Sequence, residues 1–260
     1  MKVSVTLEKE EGQVPVYRFP ALSALEGVSH GLFSREGGRS RGTFAALNLG
    51  SRVGDDPRAV DENRRRAAGV LGARQVAWLR QVHGARVVAV EAMEGQEGWF
   101  CAGEGDALMT DRPGLFLAVL TADCQGILLA DPVRRAVAAV HSGWRGSVAD
   151  VAAGAVREMV RQYGCRPRDL VAGIGPSLGP CCAQFVNYRE EIPRPLWKYR
   201  IKEDRFDFWA MTRDQLAGAG VLPENVQDPG ICTRCSPDRF FSYRAEKVTG
   251  RFAAVVGLSG

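Results

Sequence analysis

The chain has 260 residues, 45% hydrophobic and 25% charged, with 30 glycines and 13 prolines; this is ordinary globular usage, long enough to bury a core, and it excludes a disordered, collagen-like or miniature disulfide-stapled chain. Lys and Arg total 34 against 30 acids, a formal charge of +4 with only five lysines, and no like-charge run exceeds Arg64-Arg65-Arg66, too little for a nucleic-acid footprint, although scattered arginine suits phosphate on a small molecule. Seven cysteines, an opening without an apolar stretch behind a basic start, and no apolar run near the roughly 20 residues of a membrane span lead us to expect reduced thiols, a cytoplasmic protein and no membrane partner.

Residues 1–30 alternate loosely and lead into SHGLFSREGGRSRGTFAALNLG, whose apolar residues show no helical period and which reads as a loop, or loops between short strands. Asp55-Asp56-Pro57 then supplies an N-cap and a first-turn proline, and Gly72 a stop, so the spacing predicts a helix over 57–71. Val76 to Val82 and Arg86 to Val90 read as two strands around the His83-Gly84 turn. Leu115 to Leu120, Ile127 to Ala130 and Ala136 to Val140 are almost purely apolar, which marks strands covered on both faces and hence a layered α/β core. A helix is expected from Ser147 to Gly164, a strand over 170–174, a helix over about 208–217 and a last strand over 252–256. No linker, composition shift or repeat divides 1–260, which we read as one domain.

Three strand ends carry the chemistry. QVHG sets His83 at a turn, TADC sets Cys124 where an apolar strand stops, and VHSGWRG sets His141 at the end of another. Imidazole and thiolate reach a transition metal at about 2.0 to 2.3 Å, and two His plus one Cys leave a tetrahedral position open, as in catalytic zinc sites. The spacing matches no short metal motif, so two other readings stand beside it: turn-capping histidines with a buried Cys124, or Cys124 as a nucleophile with His141 as its base. Asp123, on an extended strand, would face away from Cys124 and serve as a ligand orienter or be a plain strand-end acid. Arg145, before the expected helix start at Ser147, is a candidate anion contact, as are Arg35 in FSREGG and Asn48 in LNLG for a phosphate or sugar hydroxyl. Cys181-Cys182 and the C-x-x-C of Cys232 and Cys235 form either a second metal site or a redox pair, but one C-x-x-C without a second pair at finger spacing is a weak metal signal. In Phe240-Phe241-Ser242-Tyr243-Arg244 we expect a strand that buries Phe, with Tyr243 or Arg244 able to line a pocket.

The blocks HGLFSREGG, LNLG, VGDDPRAVDENRRR, QVHG, GDALMTDRPG, TADC, VHSGWRG, GIGPSLGPCC, CTRC and FFSYR, in this order over most of the chain, resemble the YfiH-like family, labelled multicopper polyphenol oxidases or laccases and later reassigned as purine nucleoside phosphorylases with adenosine deaminase activity. The resemblance implies a layered α/β/β/α sandwich with mixed sheets, related to cysteine hydrolases, and zinc held by His83, Cys124 and His141. It further implies phosphorolysis of adenosine, inosine and methylthioadenosine, and deamination of adenosine, so the expected partners are a nucleoside and phosphate. The chain departs from the family at Gln125-Gly126, Ser142 and Ala183-Gln184-Phe185; Gln125 would add an amide beside the metal. Copper also accepts such ligands, yet three histidines cannot furnish a multicopper cluster, which leaves phenol oxidation as a side reaction at most. The further alternative is a Cys124 hydrolase that edits cell-wall peptide precursors.

Overall fold

The computed structural model describes residues 5–259. Two mixed sheets lie face to face with a helix on each outer side. The first sheet holds, in spatial order, Glu8–Glu10, Val16–Arg18, Val28–Phe33, Phe252–Leu258, Leu115–Thr121, Gln75–Arg80 and Gly98–Glu104; the second holds Val226–Gln227, Val171–Ile174, Gln125–Asp131, Ala136–Ser142, Ala107–Thr110 and Val87–Ala89.

The apolar runs are explained by this stacking. Leu117 and Val119 face Leu128, Ala130, Val137 and Ala139 between the sheets. Their sequence neighbours Phe116 and Ala118 lie under Ala67, Ala68 and Leu71 of the helix Pro57–Leu71, while Ile127, Leu129 and Ala138 lie under Ala152, Ala155 and Met159 of the helix Val151–Tyr163. Antiparallel strands usually alternate because one face is wet; here both faces are covered, and alternation disappears.

The expected elements recur with particular adjustments. The helix Pro57–Leu71 starts under the Asp56 side chain, which accepts from the Arg58 N–H, and stops at a left-handed Gly72. The segment after His141 is not one helix from Ser147: a short helix Trp144–Val148 comes first, Asp150 takes a left-handed φ of 58°, and Val151–Tyr163 follows. The strands flanking His83-Gly84 do not pair with each other, because Gln75–Arg80 belongs to the first sheet and Val87–Ala89 to the second. Within the segment read as loops, Val28–Phe33 is a strand buried between neighbours. No strand forms at Phe240-Phe241; both rings are fully buried, and Ser242 caps a short helix Tyr243–Glu246. Among the described residues no helix is long and apolar enough to cross a membrane.

His30 sits inside the first sheet, 1% exposed, where its Nε2 accepts the Phe19 N–H at 2.8 Å. Burial, reinforced by the Arg18 charge, pushes its pKa down to about 3. The folded state therefore binds no proton here between about pH 3 and the ordinary value of 6.5, whereas the unfolded chain does, so stability falls as pH drops through that window, by on the order of 5 kcal/mol in full. Unfolding by urea at pH 7 and pH 4 should show the wild type losing more stability than His30→Gln, whose amide oxygen can keep the Phe19 bond. Equal losses in both proteins would reject this role.

Candidate metal centre

At one end of the sandwich the chain crosses from sheet to sheet through Ala122-Asp123-Cys124, and this crossing assembles the site. His83 follows the strand Gln75–Arg80, Cys124 precedes Gln125–Asp131, and His141 lies near the end of Ala136–Ser142, paired with Gly126. One ligand atom from each of His83, Cys124 and His141 lies within 4.8 Å of the others, with 3.9 Å from Cys124 Sγ to His83 Nε2. His83 is exposed, Cys124 half-buried and His141 buried. Two backbone positions make the convergence possible: His83 has φ 61° and Asp123 φ 84°, left-handed conformations that cost an ordinary residue about 1 to 2 kcal/mol.

The orienting carboxylate is Asp106, which the sequence reading passed over. Its side chain is fully buried. Oδ1 accepts His141 Nδ1–H at 2.9 Å and the His83 N–H at 2.8 Å, and Oδ2 accepts the Gly84 N–H at 2.7 Å and the Val82 N–H at 3.3 Å. One carboxylate thus fixes the ring of one ligand and the backbone of another, leaving His141 Nε2 toward the cavity. Burial pushes the Asp106 carboxyl up, and the bonds from His141, Gly84 and His83 more than offset this, holding it below the usual carboxylate range. In the metal-free pair, burial opposes charge on both groups. Even so, His141 and then His83 draw the Cys124 thiol down to about 6, while Cys124 and Asp106 raise His141 to about 9. A cation seated here competes with the proton for the His141 Nε2 lone pair.

The donor set fits a borderline-soft divalent ion: two imidazoles and one thiolate on rigid strand ends, with one face open. The cradle is also tight, since a Cβ on Gly143 would stand 2.9 Å from His83 Cδ2 and 3.1 Å from Cys124 Sγ.

Asp123 also borders the cavity, but its carboxylate is turned to other partners. Its positive φ turns the side chain out of the strand geometry, so the expectation based on an extended strand does not hold. Oδ1 accepts Thr233 Oγ1 and Ser242 Oγ, both at 2.7 Å, and Oδ2 accepts the Arg244 N–H at 2.5 Å. It ties the Thr233 and Ser242 loops to the crossing and orients no ligand imidazole. Arg35 and Asn48, by contrast, are not brought to the cavity wall. Arg35 bonds Ala45 O, Pro237 O and Glu246, and the fully buried Asn48 is spent on Gly50, Asp55 and the Arg251 N–H. Gln125 does border the cavity, but its amide bonds Phe208 O and Thr212 Oγ1 and so holds the helix Phe208–Gly218 in place.

Above the three ligands opens a cavity of about 810 Å³, within the range that encloses a small molecule. Arg145 borders it with its guanidinium over the Trp144 ring at 4.2 Å. Arg251 joins it from just before the last strand, half-buried and anchored on Thr249 O and Gly250 O. Trp144 and Phe185 meet edge to face at 6.0 Å on one wall, and Tyr243 and Arg244 stand on another. Arg251, Phe185 and Trp144 were not singled out by the sequence reading. The signal for Phe185 was its place in Ala183-Gln184-Phe185, where the chain departs from the family after the paired cysteines.

A family model described as multi-copper polyphenol oxidoreductase laccase matches residues 29–259. The purine nucleoside phosphorylase of Deinococcus radiodurans is 39% identical over 252 residues, which span 94% of this chain and 93% of its own. That of Streptomyces coelicolor is 41% identical over 241 residues, 90% of this chain and 97% of its own. Among solved structures, the hypothetical protein YfiH of Bacillus licheniformis superimposes with TM-score 0.86 at 29% identity, over 97% of this chain and 98% of that one. YlmD of Geobacillus stearothermophilus does so with TM-score 0.85 at 31% identity, over 98% and 100%.

Proposed function

The chain belongs to the family described as multi-copper polyphenol oxidoreductase laccase, and from that premise we propose that it is a zinc-dependent purine nucleoside phosphorylase, acting on adenosine, inosine and methylthioadenosine and also deaminating adenosine. The observation that carries this reading is a His-Cys-His ligand set on the floor of a cavity that also presents Arg145 and Arg251. The names of the relatives favour the phosphorylase over the oxidase, and so does the histidine supply: of three in the chain, His30 is occupied inside the sheet by the Phe19 N–H, which leaves two imidazoles where multicopper clusters need many.

Phosphorolysis forms a bond from a phosphate oxygen to the ribose C1′ as the glycosidic C–N bond breaks, and the purine departs with the electron pair and a proton. Deamination adds water at the purine C6 and releases ammonia. When bound, zinc supplies Lewis-acid polarisation of the oxygen nucleophile in either reaction. Arg145 and Arg251 hold the anion, the Trp144 and Phe185 rings flank the base, and His83, Cys124 and His141 hold the metal beside them.

The test is chromatography of adenosine incubated with the purified protein, with and without phosphate. Adenine and ribose 1-phosphate should appear only with phosphate, and inosine in both. Neither product, from folded protein with metal bound, overturns the proposal. Arg145→Ala should raise the KM for phosphate about 10- to 100-fold, the worth of one charge-assisted hydrogen bond of ~1.5 to 3 kcal/mol, and change the KM for nucleoside far less; an unchanged phosphate KM would remove Arg145 from the anion site.

One specific observation favours a second reading. Asp106, His141 and Cys124 lie in the order of an acid, base and nucleophile, with the thiol already drawn down to about 6, so a Cys124-dependent hydrolase, of the kind that edits peptide precursors, uses the same groups without metal. His83 separates the two readings, because only the metal reading needs it.

A further inference from the structure

On the wall beside the cavity lies a second convergence of donors. Cys181 and Cys182 sit in a tight turn closed by the Cys182 and Ala183 N–H groups donating to Gly179 O, and Cys232 and Cys235 sit in the loop that pairs with it through the Ser177 to Cys232 bridge. All four sulfurs lie within 4.8 Å of one another. Cys235 Sγ is 3.7 Å from Cys181 Sγ and 3.5 Å from Cys182 Sγ. Sulfurs bound tetrahedrally to one ion at about 2.3 Å stand about 3.8 Å apart, whereas a disulfide closes to about 2.05 Å. The cluster therefore has the dimensions of a metal cage.

Two further observations point to thiolates held for a cation. The Cys232 sulfur, which is buried, accepts the Gly179 N–H at 3.3 Å. A backbone donor aimed at that sulfur stabilises negative charge on it. The approach also demands glycine at 179, where a Cβ would meet Trp209 at 2.7 Å and Cys232 Cβ at 3.0 Å. Arg205 bonds Cys181 O and brings positive charge to the rim of a cage that carries net negative charge once four thiolates bind a divalent ion.

We propose that Cys181, Cys182, Cys232 and Cys235 form a tetrathiolate site for one zinc ion, separate from the His83, Cys124 and His141 set. Four sulfur ligands close the coordination shell, so this ion is structural. It clamps the turn after Ser177 to the loop that carries Thr233. Those two segments supply Leu178 to the cavity wall and the Thr233 hydroxyl to Asp123, so the clamp fixes the crossing on which Cys124 stands. Two pairs of cysteines 50 residues apart in sequence need not show finger spacing, because the fold brings them together.

The test reads metal content and spectrum and does not depend on activity. Full-length wild type, His83→Asn and the double variant Cys232→Ser/Cys235→Ser are equilibrated with zinc, dialysed and assayed by elemental analysis. His83→Asn should retain one equivalent, and the double variant should lose that equivalent. Because losing two sulfurs endangers the fold, a milder variant guards the test: Cys181→Ser, at the exposed corner, should bind this zinc more weakly while the chain stays folded. Cobalt-loaded His83→Asn should show tetrahedral d–d bands and thiolate charge transfer of the strength given by four sulfurs. A His83→Asn protein that retains no zinc, or in which the four thiols react with a disulfide reagent equally fast with and without zinc, overturns the proposal; iron in place of zinc overturns the assignment of the metal.

Discussion

His83→Asn should abolish retention of metal at the His-Cys-His centre and lower kcat/KM for phosphate-dependent cleavage of adenosine by about 10³-fold or more, the ~4 kcal/mol expected when a transition state loses its main electrostatic partner. Asparagine is chosen because residue 83 has φ 61°, and asparagine tolerates the left-handed region that an alanine would enter at a cost. The backbone N–H of residue 83 keeps its bond to Asp106, so the turn survives while the ligand is lost. Under the Cys124 hydrolase reading the same variant retains its nucleophile, its base and its acid, and hydrolytic activity falls no more than a few-fold. Chelation gives the complementary result. It silences the phosphorylase and spares the hydrolase, whereas alkylating Cys124 silences either and separates nothing. Full activity of His83→Asn in metal-free buffer would end the zinc reading.

What the sequence carried and what it withheld divide along physical lines. Runs such as Leu115 to Leu120 announced strands covered twice, because no one-sided strand tolerates apolar residues on its wet face, and the capped helix Pro57–Leu71 was legible in Asp56, Pro57 and Gly72. The three residues of the His-Cys-His cluster were legible as chemistry-bearing residues at strand ends. Asp106 was not: an acid after glycine reads as a solvated turn, and its burial follows only once Gln75–Arg80 and Ala136–Ser142, from different sheets, close over it. Asp123 was misread because alternation along a strand assumes extended backbone, and the crossing between sheets breaks that assumption. Arg35 and Asn48 carry polar groups suited to a ligand, but the fold consumes them on the backbone of their own loops and on neighbouring acids. A side chain's chemistry is local and its partners are not, so residue type located the His-Cys-His cluster better than it located the residues that support it.

The support is where a small change should have its second largest effect. Asp106→Asn retains shape and volume, yet either orientation of the amide fails. Each carboxylate oxygen accepts two donors, His141 Nδ1–H and the His83 N–H on one, the Gly84 and Val82 N–H groups on the other. Whichever oxygen becomes NH₂, two N–H donors then face a third in a fully buried site. Leaving such donors unpaired costs about 2 to 3 kcal/mol of stability. The same conflict reaches the metal: with the amide NH₂ toward His141, Nδ1 must lose its proton to accept, which transfers the proton to Nε2, the atom the ion requires. With the amide oxygen there instead, the His83 N–H keeps its bond but the Gly84 and Val82 N–H groups on either side of it lose theirs, and the turn that carries His83 loosens. Either way one of the three ligands is compromised. Metal affinity and kcat/KM should fall about 100-fold, at the upper end for an outer partner of a ligating histidine. Elemental analysis under graded chelator, alongside urea unfolding, checks both numbers; a variant that holds metal as tightly as the wild type would show that His141 keeps its tautomer without Asp106.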